Sequence, residues 1–194
     1  MVVGAVAVIA GIVLSGRWPW PTPPPNVDRP MTMAAARASN ALIPIDPSRR
    51  GRAAGFHLRK RPAAARRAVE CLATAALYEV GDDPQGQRAV MQVILNRVRA
   101  RGFPGTVCGV VYQGSTRATG CQFSFTCDGS VQRRPIRAGW AGARRRARAA
   151  LTGAVDEDVG RATHYHADWV VPYWRDSMVK IARVGPHLFY VRRR

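Results

Sequence analysis

Apolar residues recur at helical spacing at Val69, Leu72, Ala73, Ala76 and Val80, and Gly81 closes the run. That stripe predicts a helix packed by one face. Asp83-Pro84 then reads as an N-cap with proline in the first helical position, opening a second helix that runs to about Ala100. Val90, Val93, Ile94 and Val98 point inward on it, and Gly102 and Pro104 end it. Arg137–Leu151 predicts a third helix, with Trp140, Ala143, Ala147 and Leu151 on the core stripe and arginines outside. Between these helices, Phe103 to Ser130 reads as loop and short strand. Gln122-Phe123-Ser124-Phe125 alternates polar and aromatic, as a strand with one face on the core would. Near the C-terminus, Met178–Val184 and Leu188–Val191 alternate about Gly185-Pro186, which predicts a hairpin. The pattern is that of an α+β domain, mainly helical with a small antiparallel sheet.

The N-terminal third has a different texture. Val2 to Gly16 is an uncharged apolar run of 15 residues, followed by Arg17. It falls short of the roughly 20 residues of a full span and sits closer to a signal-peptide hydrophobic region. Residues 1–16 are therefore read as a signal peptide or an uncleaved signal anchor, which places the protein outside the cytoplasm, in the periplasm or cell envelope. Trp18 to Asn26, WPWPTPPPN, favours extended polyproline conformation. From there to Pro62 the chain is rich in Ala, Arg and Pro without sustained period, so residues 17–64 read as a disordered linker and residues 65–194 as the folded domain.

Charge narrows the partners less than its size suggests. Net charge is +18 with a pI near 11.5, and only Lys60 and Lys180 are lysines. Such a surface fits an anionic partner, but an arginine excess also accompanies GC-rich genomes. Four cysteines, at 71, 108, 121 and 127, form no CxxC pair, which argues against a zinc ribbon. With export, disulfides follow naturally. Cys121 with Cys127 is one sterically reasonable pair, and Cys71, inside the first helix, reads as a buried thiol.

Glu79 carries the sharpest chemical signal. It ends an apolar stripe at a helix C-terminus, where the macrodipole favours a cation and apolar neighbours disfavour ionisation. Such a carboxyl holds its proton longer than usual, as a general acid must. Glu70 follows Arg66 and Arg67 by one turn and reads as a surface ion pair. His164 and His166 share one face of an extended segment, THYHADWVVPYW, and His187 follows at the hairpin. Three histidines raise a rival reading, a zinc amidase or peptidase, although no carboxylate stands at a metalloprotease spacing. The preferred reading needs no metal or other cofactor: His164, Tyr165 and His166 line the far side of a cleft and hydrogen-bond a polar ligand. A second rival is a non-enzymatic module that binds nucleic acid or envelope polymer through its arginines, indifferent to Glu79.

Four blocks in this order, YEVGDDPQGQRAVMQVILNRV, FPGTVCGVVYQG, TGCQFSFTCDG and ATHYHADWVVPYW with KIARVGPHLFY, resemble the spore-cortex-lytic and cell wall hydrolase family. The similarity covers Arg66 to Tyr190. It implies a lysozyme-like domain that cleaves peptidoglycan strands between N-acetylmuramic acid and N-acetylglucosamine. Peptidoglycan is then the partner, no nucleic acid is expected, and any membrane contact runs through the N-terminal segment. The family's catalytic glutamate, in a Tyr-x-Glu-Ala-type motif, falls on Glu79. Where the family often carries a second glutamate, four residues on, this chain has Asp83, a shorter acid read as a helix cap, with a secondary acid role as the alternative. Gly86-Gln87 also stands one residue nearer than in many members. The resemblance favours a lytic transglycosylase that uses one glutamate as acid and base. Gln122, Ser124 and Tyr165 are then candidate sugar contacts on the opposite wall. Asn96, grouped with them, reads first as a structural hydrogen-bonding residue.

Overall fold

The computed structural model describes residues 31–59, 61–117, 120–132 and 139–193. The apolar run and the Pro-rich segment up to residue 30 lie outside the described residues. Among the described residues no helix is long and apolar enough to cross a membrane.

The two helices read from the apolar stripe form the centre. α2 spans Pro62–Val80 and α3 spans Pro84–Arg99, after α1, Met33–Ala41. Gly81, at φ 59°, takes the conformation that L side chains avoid and breaks the chain sharply between α2 and α3. Asp83 then caps α3, accepting from the backbone N–H groups of Gln85 and Gly86 at 3.0 Å each. A Cβ on Gly86 would stand 2.6 Å from the Asp83 carboxylate, so glycine there is what lets the cap close.

α3 is buried on nearly every side from Gly86 to Leu95. Val90, Met91, Ile94 and Leu95 pack with α2, with α4 (Val107–Val111) and with α5 (Trp140–Leu151) in one apolar cluster. Ala89 and Val93 face the sheet and meet Ile181, Val184 and Phe189 in a second. A helix enclosed in this way must be apolar around most of its circumference, and its few polar side chains must find partners. The sheet is antiparallel in the order β1-β3-β2, with β1 at His164–Ala167, β2 at Met178–Val184 and β3 at His187–Arg192. β2 and β3 form the hairpin read from the sequence, with Gly185 at φ 53° in its turn. A bulge at Ile181 shifts the register between Lys180 and Ala182.

Three expectations are corrected. Residues 31–59 are not part of a disordered linker: α1 and a 3-10 turn at Pro47–Arg49 pack on the domain. Ala36 and Asn40 are buried, and the Asn40 amide donates to the carbonyls of Asp168 and Val170 at 2.8 and 2.9 Å. Asn40 also accepts from Arg175, while its carbonyl takes the Lys180 ammonium at 2.7 Å. An Ala/Arg-rich helix with so thin an apolar face docks through side-chain hydrogen bonds, a signal that hydropathy does not carry.

Gln122–Phe125 is not a strand. Phe123 and Phe125 are both buried, but the backbone is a 3-10 turn at Ser124–Thr126. The Cys121–Cys127 disulfide closes a ring too small for an extended run, and the Thr126 hydroxyl folds back onto the Phe123 carbonyl at 2.8 Å. Cys71 is not a buried thiol either: it is bonded to Cys108, tying α4 to α2.

Removing the Cys71–Cys108 bridge, which spans 37 residues, as Cys71→Ala/Cys108→Ala is expected to cost about 4 kcal/mol in the chain-entropy picture. Urea unfolding measures this, and an unchanged midpoint contradicts it. Asn40→Ala, which leaves buried partners unpaired, is expected to loosen α1 by about 2 kcal/mol. Amide exchange across Met33–Ala41 then quickens while that of α2 holds; uniform acceleration would mean global destabilisation instead.

Candidate active site

Glu79 sits one residue before the end of α2, at the seam between the helical cluster and the sheet. Its neighbours in sequence fix it there. The Tyr78 ring stacks on Phe125, with centroids 4.6 Å apart, and its hydroxyl reaches the Ser130 carbonyl at 2.8 Å. Beyond Glu79, the Gln87 amide donates to the Gly81 carbonyl at 2.5 Å, while Arg146 donates to the Gln87 side-chain oxygen at 2.7 Å. The helix end is thus latched from α3 and α5, and the side chain between these anchors has little freedom.

From the sheet, Tyr165 on β1 donates its hydroxyl to Glu79 Oε2 at 2.9 Å. Its ring stacks on Phe189, 5.5 Å away, and meets His187 edge-on at 5.6 Å. A strand alternates its faces, so Tyr165 points opposite to His164 and His166. Among the described residues no hydrogen bond reaches Glu79 Oε1.

A third member of the site, Arg97, was missed by the sequence reading. It lies near the end of α3, 3% exposed. Nε donates to the Thr163 carbonyl at 2.6 Å, and the guanidinium carbon stands 5.4 and 6.0 Å from the Phe103 and Phe123 ring centroids. Nη1 is buried without a hydrogen-bond partner among the described residues. The only prior signal was an arginine one residue after Asn96, on a helix whose flanks were assigned to the core. Among so many arginines that signal was faint.

These groups set each other's protonation. Burial raises the Glu79 carboxyl above its ordinary value; the Tyr165 hydrogen bond and the Arg97 charge pull it down without reversing that. Burial lowers Arg97 to about 10, so it stays cationic at neutral pH. Tyr165 is pushed well up, by burial first and the Glu79 charge second, and remains a neutral donor.

The other candidate residues divide. Ser124 is exposed beside the buried Phe123, and Gln122 is half-buried, its backbone N–H bonded to the Gln113 carbonyl at 2.9 Å. Because Phe123 approaches Arg97, both stand on the loop that borders the Glu79 group, though not on a strand face. His164 is half-buried between Phe103 and Trp174, its Nδ1 3.0 Å from the Thr163 hydroxyl. Burial, with the Arg97 and Arg192 charges, lowers it to about 3, so it is a neutral ring at any ordinary pH.

Two candidates are corrected. The His166 ring is buried with both nitrogens engaged: Nδ1 with the Ala167 carbonyl at 2.9 Å and Nε2 with the Tyr190 hydroxyl at 2.8 Å. A carbonyl only accepts, so Nδ1 carries the proton and Tyr190 donates to Nε2. Nothing remains for a ligand. Asn96 is also saturated, donating to the carbonyls of Gly160 and Ala162 at 2.8 Å each and accepting from Gln92 at 3.0 Å. It pins the segment leading into β1 onto α3, in line with its structural reading. Asp83 is the α3 cap, its carboxylate occupied by two backbone donors.

His187 pairs with Ala167 across the β1–β3 ladder and so takes the Tyr165 face, opposite to His164 and His166. The three histidines do not converge, and among the described residues no group of three or more His, Cys, Asp or Glu side chains is placed to hold a metal ion.

Known proteins share this architecture. The crystal structure of the catalytic domain of the Bacillus cereus SleB protein matches with a TM-score of 0.53 and 26% identity, covering 70% of this chain and 95% of that one. The catalytic domain of the germination-specific lytic transglycosylase SleB from Bacillus anthracis matches at 0.52 and 28%, covering 69% and 99%. Among curated relatives, the spore cortex-lytic enzyme of Halalkalibacterium halodurans is 31% identical over 122 residues, 62% of this chain and 34% of its own length. That of Oceanobacillus iheyensis is 30% identical over 125 residues, 62% of this chain and 40% of its length. The chain thus spans well under half of these relatives. The family model for cell wall hydrolases matches residues 81–190, a span that holds Arg97, the disulfide-closed loop, β1, β2 and most of β3 and begins two residues after Glu79. This chain belongs to the cell wall hydrolase family.

Proposed function

We propose that the domain cleaves peptidoglycan glycan strands between N-acetylmuramic acid and N-acetylglucosamine, as a lytic transglycosylase with Glu79 as its single acid and base. The observation that carries the reading is a carboxyl whose pKa burial raises, gripped on one oxygen by Tyr165 and beside a buried cation. The likeness to a lytic transglycosylase domain supports the same reaction class.

In the first step Glu79 gives its proton, from Oε1, to the glycosidic oxygen, and the bond to the muramyl C1 breaks with oxocarbenium character. The N-acetylglucosamine side leaves with a free hydroxyl. The carboxylate so formed is the state that Tyr165 and Arg97 stabilise, one by a hydrogen bond and the other by charge. It then takes the proton of the muramyl C6 hydroxyl as that oxygen attacks C1. The product is a 1,6-anhydro end, and Glu79 is protonated again. Burial favours the protonated acid needed for the first step, and the two neighbours keep the base from being too costly between the steps.

Ordinary hydrolysis would require a second carboxylate to activate water or attack the sugar. Each nearby acid has another duty: Asp82 pairs with Arg146 at 3.5 Å, Asp83 caps α3, and Asp128 accepts from the Ser130 N–H at 2.7 Å. That supports the intramolecular route. Gln122 and Ser124, on the loop beside Arg97, are assigned as sugar contacts, whereas His164 lies on the opposite face of β1 from Tyr165 and is not grouped with them. The reaction is placed outside the cytoplasmic membrane, with residues 1–16 as export signal or anchor. Two disulfides among the described residues support an oxidising compartment.

Purified sacculi treated with the protein are expected to yield anhydro-muropeptides by mass spectrometry, and Glu79→Gln to lower their formation about 10²–10⁴-fold. Reducing ends would indicate hydrolysis, and cleaved peptide stems would reject glycosidic cleavage. Activity is expected to decline as pH rises through the raised Glu79 pKa, because the proton donor is then lost. Tyr165→Phe removes an interaction that lowers this pKa, so the declining limb moves to higher pH while kcat drops. A limb that stays in place means that Tyr165 does not hold the catalytic carboxyl.

A further inference from the structure

A concave region lies beside Arg97, whose partners Thr163 and Phe103 help to line it. It is a cleft of about 700 Å³ whose lining includes Arg49, Arg101, Arg161 and Arg192, with Phe103 and Thr163 toward Arg97. Among the described residues no Asp or Glu lines it. Elsewhere arginines pair with carboxylates: Arg37 and Arg183 with Asp168, Arg144 with Glu70, Arg146 with Asp82 and Arg175 with Asp176. The four cleft guanidiniums make no ion pair or side-chain hydrogen bond among the described residues. Like charges gathered around one hollow repel, and an anion of matching shape relieves the repulsion.

The cleft is joined to the acid through its wall. The Thr163 carbonyl holds Arg97, and Phe103 lies against the same guanidinium. Arg192 is also close enough for its charge to depress His164. One wall is built by Ser48, Arg49 and Gly51, from the segment that α1 leads into, outside the stretch matched to the family.

We propose that this cleft binds the carboxylate-bearing peptide stem of the strand being cut, and so makes the enzyme selective for peptide-substituted glycan. The inference rests on the proposed reaction. The stem is attached to the muramyl sugar whose C1 is attacked, so a site next to the acid is where its carboxylates fall. Planar guanidiniums suit paired contacts with carboxylates, and Phe103 and Val191 offer apolar surface for alanine methyl groups.

The test uses the full chain and a synthetic stem tetrapeptide of Ala, Glu, diaminopimelate and Ala, labelled at its N-terminus and followed by fluorescence anisotropy. The peptide is expected to bind, and the same peptide with its carboxylates amidated to bind at least about tenfold more weakly. Arg161→Gln/Arg192→Gln is expected to lose a similar factor, and Arg49→Gln alone, a change on the exposed strap, to lose part of it. On strands carrying peptides the double variant raises KM about tenfold with kcat unchanged, whereas on strands stripped by an amidase it matches the wild type. Equal binding of the amidated peptide, or tighter competition by polyphosphate or single-stranded DNA, overturns the proposal in favour of a general polyanion surface. Glu79→Gln should bind the peptide as the wild type does. If that variant still cuts glycan, the acid assignment fails while the peptide measurement stands on its own.

Discussion

A buried cation organises this molecule. Arg97 lies in the interior between two aromatic rings, one nitrogen on the Thr163 carbonyl and its charge facing Glu79 and Tyr165. Removing a guanidinium from water is costly unless hydrogen bonds and opposite charge compensate it. The compensation comes from parts of the chain far apart in sequence: the end of α2, the start of β1 and the disulfide-closed loop. Helices and sheet must assemble before Arg97 can be accommodated, and once they have, the acid, its hydrogen-bond donor and the cation stand in fixed relation.

The same balance bears on the acid and base role proposed for Glu79. Burial alone would make Glu79 a persistent acid and a reluctant base. Arg97 and Tyr165 alone would hold it below the ordinary carboxylate value. Their opposition leaves the group raised, but less than burial alone would raise it. The latches around it keep it from swinging away to solvent, which would erase both effects. Gln87 between Gly81 and Arg146, and Tyr78 on Phe125, therefore fix where the carboxyl stands.

The surrounding polar interior is arranged to hold the strand that supplies Tyr165. Asn96 binds the carbonyls of Gly160 and Ala162 ahead of β1, and α1 holds those of Asp168 and Val170 just after it through Asn40. Each uses an amide at the centre of several hydrogen bonds, where an apolar substitute would leave carbonyls buried and unsatisfied. The strap that carries α1 also forms one wall of the arginine-lined cleft. A segment with little core of its own thus gains a place by completing two surfaces.

Much of the framework was legible in the residues. The 3.6-residue stripes of α2, α3 and α5, the Gly81 break, the Asp83 cap and the hairpin about Gly185 are local devices, and local chemistry decides them. Glu79 stood out for the same reason, since a carboxylate at an apolar helix end conflicts with its surroundings whatever the fold. The alternation in Gln122–Phe125 correctly marked two buried rings but not their backbone, because a short disulfide ring imposes a turn. Polarity alone could not separate Gln122 and Ser124, which border the site, from Asn96 and His166, whose hydrogen bonds are consumed inside the fold. Nor could it pick Arg97 from the other arginines, or give α1 a docking face. Those outcomes depend on which distant carbonyls, rings and charges meet each side chain, and only the tertiary structure brings them together.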